Sequence, residues 1–337
     1  MWTGAASLAF SLPDIARAAN PFDFTKARAG YLDRIGSMRQ SGHLPIIDIE
    51  SSCNPLEIDP SAFTRSMDRS GIAIMCLSVD PPGQLVNRGT IWSDLALELS
   101  ERYPAHFIPT GNGGNHPAWT QKPERFLAAQ EQYIPAHRYP LIGEFEVRHY
   151  PSPRQVARGQ TFRDVDVPID GPLMERVFSL SERLGIPFQI HYEIEDRLLD
   201  PFKQMLTRFP KARVIWCHLA QIRYQERSTR YGPALLGRWL EEHPNLYIDT
   251  AFGDSLSVYP PSGQRHARYW IQQREWSELI AEHPWRFLAA LDIGGDRMNR
   301  IEEWTRNLRE FLGTLPASVR DIVAYKASWK LLFGEEI

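Results

Sequence analysis

The chain is short of most features that would mark a specialised class of protein. Its 337 residues hold three cysteines, Cys53, Cys76 and Cys217. The number is odd and no pair has metal-type spacing, so neither a disulfide framework nor a zinc ribbon is encoded, and packing is their first reading. They leave the redox compartment open. Basic and acidic residues nearly cancel, to a net charge of −3, and no Lys/Arg run with interleaved aromatics occurs, so nothing predicts a nucleic-acid partner. No apolar run approaches the roughly 20 residues that cross a bilayer as a helix, so no integral membrane segment is expected. With 43% hydrophobic and 23% charged residues, the composition is that of an ordinary globular protein able to bury a large core.

The first 20 residues read differently from the rest. Ala5 to Leu12 is a short apolar run broken by Pro13, and Ala16-Arg17-Ala18 has the small-x-small form of a signal-peptidase site. No positive start precedes the run. Residues 1–20 are therefore expected to be either the remnant of an export signal or a simple N-terminal arm. The first reading places the protein in the periplasm or outside the cell, the second in the cytoplasm.

From residue 45 onward, apolar runs rich in Val, Ile, Phe and Tyr alternate with longer amphipathic stretches, the pattern of βα units around a parallel sheet. There are eight such runs: Pro45–Glu50, Ile72–Val79, Phe107–Gly111, Leu141–Val147, Pro187–Tyr192, Arg213–His218, Asn245–Thr250 and Phe287–Asp292. Helices are predicted between them, among others over Trp92–Arg102, Pro172–Leu184, Leu198–Phe209 and Ala234–Glu242, with Ile301–Leu312 and Pro316–Phe333 closing the ring. A doubly wound open sheet is the competing architecture, but no Gly-rich nucleotide turn follows the first run. The expectation is a (β/α)8 TIM barrel, α/β in class, forming one domain over residues 21–337.

Six of the eight runs give way to ionisable residues toward the C-terminal end: Asp48 and Glu50, Glu144 and Glu146, His191 and Glu193, His218, Asp249, Asp292. In a barrel that face carries the active site. Side-chain alternation sets Asp48, Glu50 and Ser52 on one side of the first run, Glu144, Glu146 and Arg148 on one side of the fourth, and Gln189, His191 and Glu193 on one side of the fifth. The opposite sides are apolar, so the polar set is predicted to converge on the barrel axis. One histidine at a strand end is more often structural than functional; His191 and His218 on adjacent runs, with Asp292 on the eighth, suit a divalent transition metal.

Four motifs, Ile142-Gly143-Glu144, Ile190-His191, Trp216-Cys217-His218 and Leu291-Asp292, in this order and on these runs, resemble the amidohydrolase superfamily, in particular its amidohydrolase-2-related branch of barrel hydrolases and decarboxylases. The resemblance spans about Pro45 to Phe333. It implies that His191 and His218 bind metal and that Asp292 is both a ligand and the acceptor of a proton from the nucleophilic water. The first run departs from the family pattern. Where the family has His-x-His after Ile-Asp, the frame Ile47-Asp48-Ile49-Glu50-Ser51-Ser52 sets Glu50 and Ser52 at the two histidine positions.

Three readings of that departure stand side by side. The metal is held further out by His191, His218 and Glu144; or Glu50 serves as an oxygen ligand and gives a harder site, nearer Fe or Mn than Zn; or no metal binds. Arg148 and His149 are candidates to grip a substrate carboxylate, with neutralisation of Glu144 and Glu146 the alternative for Arg148. Asn112-Gly113-Gly114-Asn115-His116 reads as a lid or rim, and Asp249 and Asp254 as supporting or turn residues. The aromatics Tyr192, Trp216 and Phe252 read as packing, and His266–Trp270 as an interface or a cap on the rim.

The functional expectation is a hydrolase of a C–N or C–O bond in a small organic substrate, with zinc, iron or manganese as cofactor and Asp292 as general base. A decarboxylase or other lyase is the alternative within chemistry. Outside it stands a non-catalytic barrel that binds a ligand or pairs with a related subunit, and a homodimer fits any of these.

Overall fold

The computed structural model describes residues 20–337, except 152, 220, 221, 223 and 252–273. The N-terminal 19 residues, Phe252, Asp254 and the segment His266–Trp270 therefore lie outside the described residues.

Eight parallel strands build the ring: β1 (Ile46–Cys53), β2 (Ile72–Val79), β3 (Phe107–Pro109), β4 (Ile142–His149), β6 (Pro187–Tyr192), β7 (Arg213–Trp216), β8 (Leu246–Asp249) and β9 (Phe287–Leu288). A two-residue strand, β5 (Val165–Asp166), lies antiparallel on the end of β4. Every residue of β2 is buried, which is why it reads as an unbroken apolar run and not as an alternation.

Two seams join the strands β1–β3 to the rest. At the β3/β4 seam, Gly111 N–H donates to Leu141 O at 2.9 Å and Glu146 N–H to Gly114 O at 2.9 Å. At the β9/β1 seam, Ile49 N–H donates to Ala289 O at 3.0 Å and Ser52 N–H to Ile293 O at 2.8 Å. The order β1-β2-β3-β4-β6-β7-β8-β9 thus returns to β1 as a TIM barrel. The Gln189 amide crosses its interior to donate to Ile49 O at 2.8 Å.

The helices are bounded by ordinary chain signals. The helix Pro172–Leu184 starts on a proline and stops at Gly185, whose φ of 68° lies in the left-handed region. The helix Asp196–Arg208 presents Leu198, Leu199, Phe202, Met205 and Leu206 to the barrel, a helical stripe against the sheet. Its neighbour Trp216 stacks on Trp239 and meets Phe202 edge to face; Tyr192 and Trp216 are buried packing residues joined by an indole hydrogen bond of 2.8 Å to Tyr192 O.

Sequence and structure part in three places. A helix, Phe24–Gln40, precedes the barrel, capped by Asp23 and tied down by the Tyr31 hydroxyl, which donates to Phe107 O at 2.6 Å. The closing stretch 316–333 is interrupted by a π-turn over Ile322–Lys326. That turn frees the carbonyl of Val323 to accept Ala289 N–H at 3.0 Å, so the interruption fastens β9 at its base. Finally, β7 and β9 stop short of His218 and Asp292, which have φ of 68° and 50°, a backbone no strand can contain. Among the described residues no helix is long and apolar enough to cross a membrane.

Candidate active site

The C-terminal ends of β1, β4, β6, β7 and β9 bring Glu50, Glu144, His191, His218 and Asp292 together. Two overlapping sets lie close enough to share an ion, Glu144–His191–His218 and Glu50–His218–Asp292, the ligand atoms in each lying within 4.8 Å of one another. His218 belongs to both. Glu144 Oε1 stands 3.4 Å from His191 Nδ1 and 3.2 Å from His218 Nε2, yet it is a buried oxygen without a hydrogen bond of good geometry.

The outer nitrogen of each imidazole is backed by another carboxylate. His191 Nε2 lies 3.2 Å from Glu193 Oε1, and His218 Nδ1 lies 3.6 Å from Asp249 Oδ1. At His191 a carboxylate at hydrogen-bond distance fixes ring orientation and makes the inward nitrogen a better electron donor; His218 Nδ1 is a buried nitrogen without a hydrogen bond, and Asp249 acts on it through charge alone. The two rings meet edge to face with centroids 4.9 Å apart.

Burial dominates the electrostatics. It would raise Glu144, but the two histidines outweigh it and hold that carboxyl below its ordinary range. Glu50 moves the other way, raised by burial and by the charges of Asp292 and Glu144. Both histidines are raised: burial opposes this, while Glu144 and Glu193 hold the proton on His191, and Asp249 and Asp292 on His218. The protonated rings and the ionised Glu144 are thus one mutually stabilised cluster, and a divalent cation with the rings neutral would satisfy the same carboxylates.

Asp48 belongs to the barrel floor and not to this cluster. It is fully buried, accepts the Ser51 hydroxyl at 2.6 Å and Leu291 N–H at 2.9 Å, and burial pushes it up to about 8 against those hydrogen bonds. The pairing of β1 with β2 slips between Asp48 and Ser51, and the slip breaks the simple alternation of sides.

A similar slip, between Glu146 and Arg148 on β4, turns Arg148 away from Glu144 and Glu146. Its guanidinium donates to Asp164 and to Val165 O, both at 2.7 Å, approaches Glu195 at 3.4 Å and lies 3.5 Å over the Tyr150 ring. All of that serves to pin the β4–β5 hairpin. His149 stays at the mouth, its ring centroid 4.6 Å from that of His191 and its Nδ1 donating to Arg163 O at 2.6 Å. The segment Asn112–Asn115, expected as a lid or rim, is packed into the β3/β4 seam: Asn112 is fully buried and bonded to both backbone groups of Ser93.

Two mouth residues escaped sequence reasoning. Asp80 stands one residue past β2, where burial pushes it up to about 6 while Ser52 and Arg163 pull it down. Its position after an apolar run was the available signal. Arg163 arrives from the turn Thr161–Arg163 and pairs with Glu146; burial pushes Glu146 up to about 7, with Arg163 the main opposing influence. No periodicity or strand end marks Arg163 in the sequence.

With this geometry in hand, the comparisons are specific. Residues 109–294 match the model of the amidohydrolase family, Amidohydro_2. No curated protein matches the chain. Among solved structures, an amidohydrolase II is similar at 14% identity and TM-score 0.54, covering 85% of this chain and 99% of that one. An uncharacterised TIM-barrel protein from Bordetella bronchiseptica aligns at 14% identity and TM-score 0.53, over 86% and 98%. A dihydroxybenzoic acid decarboxylase from Polaromonas sp. JS666, solved with manganese and 2-nitroresorcinol, aligns at 13% identity and TM-score 0.50, over 86% and 96%.

Proposed function

The chain belongs to the amidohydrolase family, and from that premise we propose that it is a metal-dependent enzyme that hydrolyses a C–N or C–O bond of a small organic molecule. The observation that carries the reading is the Glu144 carboxylate set between two imidazoles, with Glu193 on the outer nitrogen of His191 and the buried Asp249 facing that of His218. Glu144, His191 and His218 would hold the ion, with Glu50 and Asp292 on its inner side. A donor set of two imidazoles and three carboxylates leans toward Mn(II) or Fe(II), with Zn(II) also accommodated.

A divalent ion in that position supplies Lewis acidity, polarising a substrate carbonyl and acidifying water. Asp292, at the end of β9, takes the proton from the attacking water and returns it to the leaving group. His149 and the Arg163–Glu146 pair line the approach and orient the substrate.

Carbon–carbon lysis is the second reading, favoured by a decarboxylase among structures of the same fold. There Asp292 delivers a proton to the carbon that loses carboxylate, and evolved carbon dioxide separates the two reactions.

Metal content by plasma mass spectrometry, on protein purified without a metal-affinity column, tests the proposal. One equivalent in the wild type, lost in His191→Ala and His218→Ala, supports it, and retention in Glu50→Ala assigns the ion to the Glu144 set. A wild type that stays empty after incubation with Zn(II), Mn(II) and Fe(II) would overturn it in favour of a binding or partner subunit.

A further inference from the structure

Outside helix caps, the described residues other than glycine with left-handed φ are His218 and Asp292, both members of the candidate ligand set Glu50–His218–Asp292. Each is followed around the barrel by a strand carrying a fully buried aspartate: Asp249 on β8 beside the end of β7, and Asp48 on β1 beside the end of β9. Neither aspartate belongs to the two sets of candidate ligands.

The hydrogen bonds show what they do. Leu291 N–H donates to Asp48 Oδ1 at 2.9 Å, Asp292 N–H to Glu50 O at 3.0 Å, and Ile293 N–H to Ser51 Oγ at 3.1 Å. The Ser51 hydroxyl is itself aimed by donating to Asp48 Oδ2 at 2.6 Å. Three consecutive amides spanning Asp292 are thus received by one stretch of β1, two of them through the Asp48 carboxylate. Asp249 repeats the device: its Oδ1 accepts His218 N–H and Ala251 N–H, each at 2.9 Å.

We propose that Asp48, acting through Ser51, is a positioning residue that holds the left-handed backbone of Asp292 and so aims its carboxylate at the site, and that Asp249 does the same for His218. A strand that simply continued would turn the carboxylate of residue 292 to the face dictated by pleat alternation. The left-handed turn redirects it, and an unfavourable backbone persists only where its surroundings over-determine it. The buried carboxylate of Asp48 supplies that constraint, Oδ1 accepting Leu291 N–H directly and Oδ2 fixing the Ser51 hydroxyl that receives Ile293 N–H. Its role is separate from binding the ion, though its effect on metal affinity rests on the functional reading above.

The test uses the full chain and four variants: Asp48→Ala, Asp48→Asn, Ser51→Ala and, as a reference for general destabilisation, Arg309→Met on the opposite face of the barrel. Dissociation constants for Mn(II) and Zn(II) are measured with the absorption spectrum of the Co(II) form, and crystal structures give φ at residue 292. Residues that orient metal ligands from behind commonly change affinity about ten- to a hundredfold, and that loosening is expected for Asp48→Ala, with a shifted Co(II) spectrum. Asp48→Asn keeps an acceptor for Leu291 N–H but loses the acceptor for the Ser51 hydroxyl, so its affinity is expected to fall between those of the wild type and Asp48→Ala, while Arg309→Met lowers the melting temperature without loosening the metal.

Should Asp48→Ala fail to fold, Ser51→Ala removes the acceptor for Ile293 N–H and the donor to Asp48 Oδ2, leaves the bond from Leu291 N–H to Asp48, and carries the same comparison. An Asp48→Ala protein with wild-type affinity, wild-type Co(II) spectrum and residue 292 still left-handed would overturn the proposal. A wild type that binds no metal overturns the functional reading instead, and the φ of residue 292 in Asp48→Ala then decides the positioning role by itself.

Discussion

His191 and His218 turn different nitrogens toward one oxygen. Nδ1 of the first and Nε2 of the second face Glu144 Oε1 at 3.4 and 3.2 Å, and their planes meet at 74°. The difference arises from the backbone. His191 lies within β6, whereas His218 sits past the end of β7 in the left-handed region, so its ring arrives at another angle. The arrangement sets one carboxylate oxygen and two nitrogens within 4.8 Å of one another, with the Glu50–Asp292 carboxylates close to His218.

If that site takes a divalent ion, the ion is also a stabilising ligand. Free metal at a hundredfold excess over its dissociation constant contributes about 2.7 kcal/mol to the folded state. Addition of Mn(II) or Zn(II) to chelator-treated protein is therefore expected to raise the melting temperature by several degrees, measured by scanning calorimetry. In His218→Ala, which removes the group common to both ligand sets, the response is expected to vanish.

The Arg163–Glu146 pair predicts a pH dependence. Burial pushes Glu146 from its ordinary 4.5 up to about 7. Between these values the unfolded chain releases the proton while the folded protein keeps it, so this group makes stability fall as pH rises through the window. Arg163 opposes that loss. Arg163→Ala is expected to destabilise slightly at pH 5, where Glu146 is protonated in both proteins, and by about 1 kcal/mol more at pH 8, where the wild type releases that proton and the carboxyl without Arg163 must keep it. Urea unfolding at the two pH values checks it; equal losses at both would show that Arg163 acts through packing alone.

The barrel and the candidate ligands were legible in the sequence for one physical reason: both are written in the apolar runs that strands buried on both faces require and in what stands at the ends of those runs. Ile72–Val79 reads as a strand because all of its side chains are buried, and His191 reads as a mouth residue because it ends such a run. Illegible was whatever depended on register. Arg148 shares alternation with Glu144 on paper, but a slip in the β4/β6 pairing sends it to Asp164 and Glu195. Asp48 shares alternation with Glu50 on paper, but the slip in the β1/β2 pairing and its bonds to Ser51 and Leu291 set it behind Asp292. Arg163 comes from an irregular connection, where no periodicity records where a side chain lands.

Arg309 makes a prediction for the opposite face. Its guanidinium donates to Ser70 O, Gly71 O and Leu44 O at 2.9–3.2 Å, receiving carbonyls at the end of the helix Pro60–Ser70 and at the entries to β1 and β2. Arg309→Ala leaves these part-buried carbonyls without their charged donor, at a cost of about 2–3 kcal/mol. Metal content should not change, because the residue stands at the other end of the barrel from His218. Chemical denaturation and metal analysis on the same preparation check both halves.

Gly143 ties the fold to the site most directly. A Cβ built there would stand 2.3 Å from Gly111 O and 3.1 Å from the carbonyl group of Asn112, all backbone atoms of the β3/β4 seam. A flexible side chain could swing aside; a paired strand end cannot. Gly143→Ala must therefore push β4 away from the end of β3, straining the bond from Gly111 N–H to Leu141 O, and overpacking of this kind costs about 3 kcal/mol. The next residue along β4 is Glu144, so the same displacement moves its carboxylate off the line between His191 and His218. Gly143→Ala is expected to lose stability and metal together, whereas Gly313→Ala, at a helical position where an added Cβ meets nothing within 4 Å, should keep both. Retention of full metal affinity in a destabilised Gly143→Ala protein would mean that Glu144 is not held by the seam.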